Sequence, residues 1–251
     1  MNQLSYCQVI PTPDPLASYN AAMNERPSNQ ASSSGRKKRS VGEHTKYWRP
    51  GRTLKILVFN YDEHSFEAIK NGANKWQPYV NLNFEFIEMN EQDIFKSDEF
   101  LGDIRVDFQP RHGGGGSSAI GTDSLTGDPQ APSMYFFGTD FSSPEFERAV
   151  IHEFGHALGL GHEHQHPDAG IPWDREKAYY HFAASANLSR EQVDANVFPL
   201  ERTTNQTYTP YDRHSIMHYQ VHNELTVGNW HQPLNKHISE GDIAAMRAIY
   251  P

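Results

Sequence analysis

Cysteine is nearly absent from this chain of 251 residues: Cys7 stands alone, so no intrachain disulfide can form, which fits a reducing compartment. Long apolar runs are missing as well. No stretch approaches the ~18 consecutive apolar residues of a membrane helix, so no membrane span is expected. Residues 1–10 lack a basic start followed by an apolar core, and no secretory signal is expected there. On that reading the protein stays in the cytoplasm or leaves a cell by a non-classical route. An excess of positive charge is lacking too. The formal net charge is −9, which argues against nucleic acid as a partner, because phosphate binding needs a positive field. Hydrophobic residues make up 37% of the chain and mean hydropathy is −0.73, the balance of a polar globular protein.

The length suits one domain or two closely packed lobes. Residues 1–45 are rich in Ser, Asn, Pro and Gln and carry no lasting apolar period, so an unfolded or pro-segment-like tail is expected. It contains the basic run Arg36, Lys37, Lys38 and Arg39, which reads as a solvated linker, a processing site or a nucleic-acid patch. Cys7 has no supporting signature around it. An inert thiol is expected, against the alternative of a thiolate that blocks a metal in an uncut precursor.

The folded part is expected at 46–251. Residues 53–59 read as a first strand, 82–88 alternate with period two as a second, and 104–108 and 133–137 read as further strands. Phe66, Ile69, Ala73 and Trp76 recur at helical spacing between the first two. This order predicts an α/β layer. The glycines at 113–116 precede no Gly-Lys-Ser/Thr, so they read as a mobile loop leading into an edge strand, not as a phosphate cradle. Helices are expected at 174–182, at 189–197 and at the C-terminus, where Ile243, Met246 and Ile249 share a face.

The densest chemistry lies at 149–163. His152 and His156 are four residues apart, which on a helix places them one turn above each other and ~40° apart around the axis. Gly159 follows three residues later and can end the helix with a sharp turn, letting His162 approach from another direction. Three neutral imidazoles with an open fourth position form the ligand set of one catalytic Zn²⁺. Glu153 stands on the flank of the same helical face. Ser142 or Ser143 can cap the helix, Pro144 suits its first turn, and Phe146, Val150, Phe154 and Ala157 form its opposite, core-facing side. His164 and His166 would crowd a complete site and read as loop residues.

Residues 211–219 carry a second informative stretch. With it, the pattern His152, Glu153, His156, Gly159, His162 resembles the metzincin clan of zinc peptidases, and most of all the astacin family. Glu163 matches the glutamate after the third histidine. Ser215, Met217, His218 and Tyr219 match the Met-turn. The resemblance implies an α/β (α+β) fold: a twisted mixed sheet and active-site helix in an upper lobe, 46–162, and a mostly helical and irregular lower lobe, 163–251, across a zinc cleft. It implies a monomeric zinc endopeptidase acting on a protein or peptide substrate. Glu153 would be general base and acid, and Tyr219 would stabilise the oxyanion. Met217 would form an apolar floor, Gly159 and Glu163 would shape the site, and Ser117, Ser118, Ala119 and Ile120 would be a cleft-edge strand that binds extended substrate. Arg213 would be one reader of acidic side chains. Phe100 to Asp103 echoes a family inhibitory pattern but lies inside the catalytic domain, and reads as coincidence. The alternative is a catalytically silent zinc-binding interaction module, which has no need of Glu153. A zinc-stabilised structural protein would need a fourth protein ligand, and no candidate stands out.

Overall fold

The computed structural model describes residues 7–12, 14–30, 44–88, 100–109, 115–138, 140–201 and 209–251. The basic run at 36–39 and the glycines at 113 and 114 lie outside them.

One six-stranded sheet organises the described residues, with strand order β1-β5-β6-β4-β2-β3. Its strands are β1 (Gln8–Val9), β2 (Thr53–Val58), β3 (Asn83–Ile87), β4 (Ile104–Gln109), β5 (Gly115–Ser118) and β6 (Met134–Phe137). All neighbours pair in parallel except β5 with β6, so the sheet is mixed. Parallel strands covered on both faces read as continuous apolar runs. β2 obeys this, with Leu54, Ile56, Leu57 and Val58 all buried.

The helices are α1 (Pro15–Glu25), α2 (Glu63–Ala73), α3 (Pro144–Ala157), α4 (Arg175–Ala186), α5 (Arg190–Asn196) and α6 (Glu240–Ile249). Asp62 starts α2 in a capping box with Ser65. Phe66, Ile69, Ala73 and, one turn on, Trp76 are buried on the sheet. α2 packs closely on α3 because Gly72 has no side chain: a Cβ there would lie 2.5 Å from Val150 Cγ1. Two indoles then fix α3 lengthwise. Trp76 Nε1 donates to Ile151 O at 2.8 Å, and Trp48 Nε1 to Ala157 O at 2.8 Å. A separate apolar cluster, including Phe182, Val193, Phe198 and Leu225, holds α4 and α5 together.

Of the two expectations for the tail, unfolded or pro-segment-like, the unfolded one does not describe residues 7–12 and 14–30. Where it is described, 7–30 is folded onto the domain as β1, α1 and a 3₁₀ turn at Pro27–Asn29. Its docking is largely polar, which is why hydrophobic periodicity misses it. Ser18 Oγ donates to Asp123, Glu25 pairs with Arg52, Arg26 donates to Ile249 O at 2.9 Å and Asn29 to Tyr47 O at 2.8 Å. Asp103 is likewise structural, accepting from Arg52 at 2.5 Å and from Lys55 N at 2.9 Å.

Candidate metal centre

α3 presents the site. Ser143 caps it, accepting from Phe146 N, with Pro144 in its first turn and Glu145 and Glu147 at the positive end of its dipole. Phe146, Val150, Phe154 and Ala157 are buried in the main core. His152, Glu153 and His156 are themselves at most 1% exposed. The helix ends at Leu158. Gly159 follows at φ +101°, and a Cβ there would also lie 2.5 Å from the Tyr47 ring. That turn returns His162 so that its Nε2 lies 3.0 Å from His156 Nε2.

Backbone carbonyls set the tautomers. His152 Nδ1–H donates to Ile216 O at 2.8 Å, and His156 Nδ1–H to Leu160 O at 2.8 Å. Each ring then turns a bare Nε2 lone pair inward. His152 Nε2 is buried and meets no hydrogen-bond donor. Burial also holds all three imidazoles below the usual histidine range, His156 at about 4, so they are neutral near pH 7. Bare nitrogens converging in a buried space, neutral and oriented by carbonyls, fit a soft-to-borderline cation such as Zn²⁺.

A fourth donor is present. The ligand atoms of Cys7, His152, His156 and His162 all lie within 4.8 Å of one another. Cys7 Sγ thus stands beside the three imidazole nitrogens, where an open position and an inert thiol were expected. Cys7 Sγ–H donates to Glu153 Oε2 at 3.3 Å, and burial pushes the thiol well above its usual range. Burial pushes the Glu153 carboxyl up to about 8, with the Cys7 bond and the Arg148 charge pulling the other way. Glu153 fits against β5 because position 116 is glycine: a Cβ there would lie 2.6 Å from Glu153 Cγ and 2.8 Å from Tyr135 O.

The remaining predicted residues surround this group. Tyr219 donates its phenolic O–H to the Cys7 carbonyl, stacks on His164 at 3.9 Å and meets the His162 ring at 4.5 Å. Met217 is buried, and its sulfur occupies the space that a side chain at Gly155 would need. Glu163 does not join the metal group. Its N–H donates to Met217 O at 3.1 Å, its Oε1 accepts from Asp212 N at 2.8 Å, and burial raises its carboxyl to about 7. The edge strand is taken: Gln8 pairs with Ser117 and Val9 with Ser118. Ala119 N bonds to Ser133 O instead, and Ile120 leads the 3₁₀ turn at Gly121–Leu125. Two of the four glycines, Gly115 and Gly116, belong to β5 and not to a loop. His164 and His166 point elsewhere, to Asn196 O and Thr209 O. Arg213 bonds to Gln232.

Sequence reasoning weighed Cys7 as a metal-blocking thiolate but favoured an inert thiol, because 146 positions separate it from Glu153 and no local spacing marks it. A lone thiol in a chain with a three-histidine motif was the one available signal. It also missed Arg148, buried on α3 within the field of Cys7 and Glu153.

A family model described as Astacin, a peptidase family, matches residues 41–250. Zinc metalloproteinase nas-38 of Caenorhabditis elegans is 29% identical over 198 residues, covering 73% of this chain and 22% of that protein, so the chain spans about a fifth of its length. A structure of myroilysin matches with TM-score 0.72 at 34% identity, over 82% of this chain and 96% of that one. A crystal structure of myroilysin gives TM-score 0.64 at 28% identity, over 100% and 92%. High choriolytic enzyme 1, a hatching enzyme zinc-protease from the medaka Oryzias latipes, matches in fold, with TM-score 0.51 at 16% identity over 82% and 94%.

Proposed function

The chain belongs to the astacin family of zinc metallopeptidases, and from that premise we propose that it is a zinc-dependent endopeptidase held latent by its own N-terminal segment. The carrying observation is the convergence of Cys7, His152, His156 and His162 beside Glu153. The three histidines would hold the ion, with the Cys7 thiolate completing the set in the latent chain. When bound, Zn²⁺ supplies Lewis-acid polarisation of a peptide carbonyl and lowers the pKa of a water to about 7.

The protein's own groups do the rest. Glu153 takes the proton of the attacking water and later delivers it to the leaving amine. Glu153 sits next to His152 on the same helix and is buried with the imidazoles, which places its carboxylate within reach of a water held there. Tyr219 donates to a carbonyl oxygen in the latent chain, and the same O–H donates to the oxyanion of a substrate. Ser117 and Ser118 take an extended protein or peptide substrate by strand addition once β1 has left. Such a cleft favours cuts within chains. The run at 36–39 serves as the processing site that separates tail from domain.

The silent-module reading has less support. Burying a carboxyl is costly, and a module that only binds has no use for Glu153. The structural-zinc reading gains a fourth ligand in Cys7. However, that ligand arrives from outside residues 41–250, just ahead of the strand β1 that pairs with β5. The test is hydrolysis of a peptide library by the full chain carrying Cys7→Ala, with and without chelator. Chelator-sensitive internal cleavage is expected. Adding Glu153→Gln should keep the metal and cut turnover by ~10²–10⁴-fold. Unchanged turnover would remove Glu153 from the mechanism, and a metal-loaded chain freed of its tail that shows no hydrolysis would favour the silent module.

A further inference from the structure

Of the carbonyls that orient the imidazoles, the one serving His152 has the weaker local support. His156 uses Leu160 in the turn that ends its own helix, whereas His152 uses Ile216, in a segment without regular secondary structure. A loop carbonyl can orient a ligand only if the loop itself is held.

The hold comes from α6. Asp242 Oδ1 accepts from Ser215 Oγ at 2.6 Å, and Oδ2 accepts from Ile216 N at 2.8 Å. Ser215 Oγ in turn accepts from Met217 N at 3.0 Å. Peptide units are planar, so fixing one end of a unit fixes the other. The unit before Ile216 is pinned at its N–H by Asp242 directly. The unit after it carries the carbonyl that meets His152, and is pinned at its N–H through Ser215. Both planes flanking Ile216 therefore depend on one carboxylate. Capping α6 needs less: Asp242 N donates to Ser239 Oγ at 3.0 Å, and Asp242 Oδ2 accepts from Ser239 N at 2.9 Å. The two bonds into the turn are additional to the cap, and Asp242 is 5% exposed, so water cannot replace it.

We propose that Asp242 is a positioning residue for the metal centre: it clamps residues 215–217 so that Ile216 O holds the His152 ring with Nε2 aimed at the ion. This rests on the zinc reading above. It adds that the metal affinity of a helix α3 ligand is set from helix α6.

The test measures zinc affinity of the full chain by chelator competition, alongside thermal midpoint, for the natural protein, Asp242→Asn and Met246→Ala. An amide cannot accept at both oxygen positions, so one grip on the turn is lost. Loss of a group that orients a ligand typically weakens metal binding by 10–100-fold, and about tenfold is expected for Asp242→Asn. Met246 is fully buried on the same helix, so its loss should lower the midpoint through packing and shift zinc affinity by less than about twofold. The cobalt-substituted visible spectrum should change for Asp242→Asn and not for Met246→Ala. If Asp242→Asn does not fold, Ser215→Ala breaks the same relay and should weaken zinc. Equal affinity for Asp242→Asn and the natural protein, or equal weakening by Met246→Ala, overturns the proposal. A natural chain that binds no zinc would overturn the zinc reading, and this inference with it.

Discussion

Replacing Cys7 by alanine in the full chain should release activity, but only in part. The substitution removes the thiol from the metal group and its 3.3 Å hydrogen bond to Glu153. A buried hydrogen bond contributes about 1 kcal/mol net, about fivefold in an open-to-closed population. In a zinc-loaded chain the thiolate has no proton to donate, so ligation would take the place of that bond, and as the stronger of the two it makes fivefold the floor. The other holds persist. Tyr219 bonds to the backbone carbonyl of residue 7, which alanine keeps. β1 stays paired with β5, and Ser18, Glu25, Arg26 and Asn29 still anchor the segment behind it. Initial rates on a quenched fluorescent peptide should therefore rank natural full chain, then Cys7→Ala, then chain cut in the basic run and freed of its tail. A natural full chain as fast as the freed domain would refute latency. A Cys7→Ala chain no faster than the natural one, beside an active freed domain, would refute the thiol's part in it.

Gly116→Ala should lower kcat with zinc content unchanged, because its Cβ meets Glu153 Cγ at 2.6 Å and a misplacement of about 1 Å can cost ~10²-fold; steady-state kinetics with metal analysis will tell. Gly155→Ala should cost about 1–3 kcal/mol by overpacking against Met217, partly offset by better helix propensity, as read from denaturation midpoints. Stability should fall as pH drops from 6.5 towards 4.5. Burial holds His152, His156, His162, His164 and His218 below their usual 6.5, while it raises three carboxyls at or behind the site, Glu153 and Glu163 from 4.5 and Asp242 from 3.8. In that window the unfolded chain protonates more imidazoles than the folded chain retains carboxyl protons, so acid favours unfolding. An equal or higher denaturant midpoint at about pH 5 than at pH 7 would contradict this.

Much of the domain could be read from local pattern. Period-two alternation marked β3, apolar continuity marked β2, and the Ser-Pro start marked α3 within a residue or two. These are short-range signals, decided by a residue and its neighbours along the chain. The tail resisted the same reading because its anchors are single polar side chains meeting partners such as Asp123 and Ile249, far away in sequence. Gly116 resisted it for another reason: its need for no side chain exists only because Glu153 of another element comes to rest there.

The order of residues alone therefore determined that three imidazoles and a carboxyl share a helix and its terminal turn, because helical pitch and a glycine at positive φ are local geometry. Only the tertiary structure decided what faces them. It brought a thiol to the same buried space, laid β1 along β5, and set the Ile216 carbonyl behind His152 from a third element. Such contacts depend on how sheet and helices stack, and no spacing along the chain encodes the distance between two surfaces that meet only after folding.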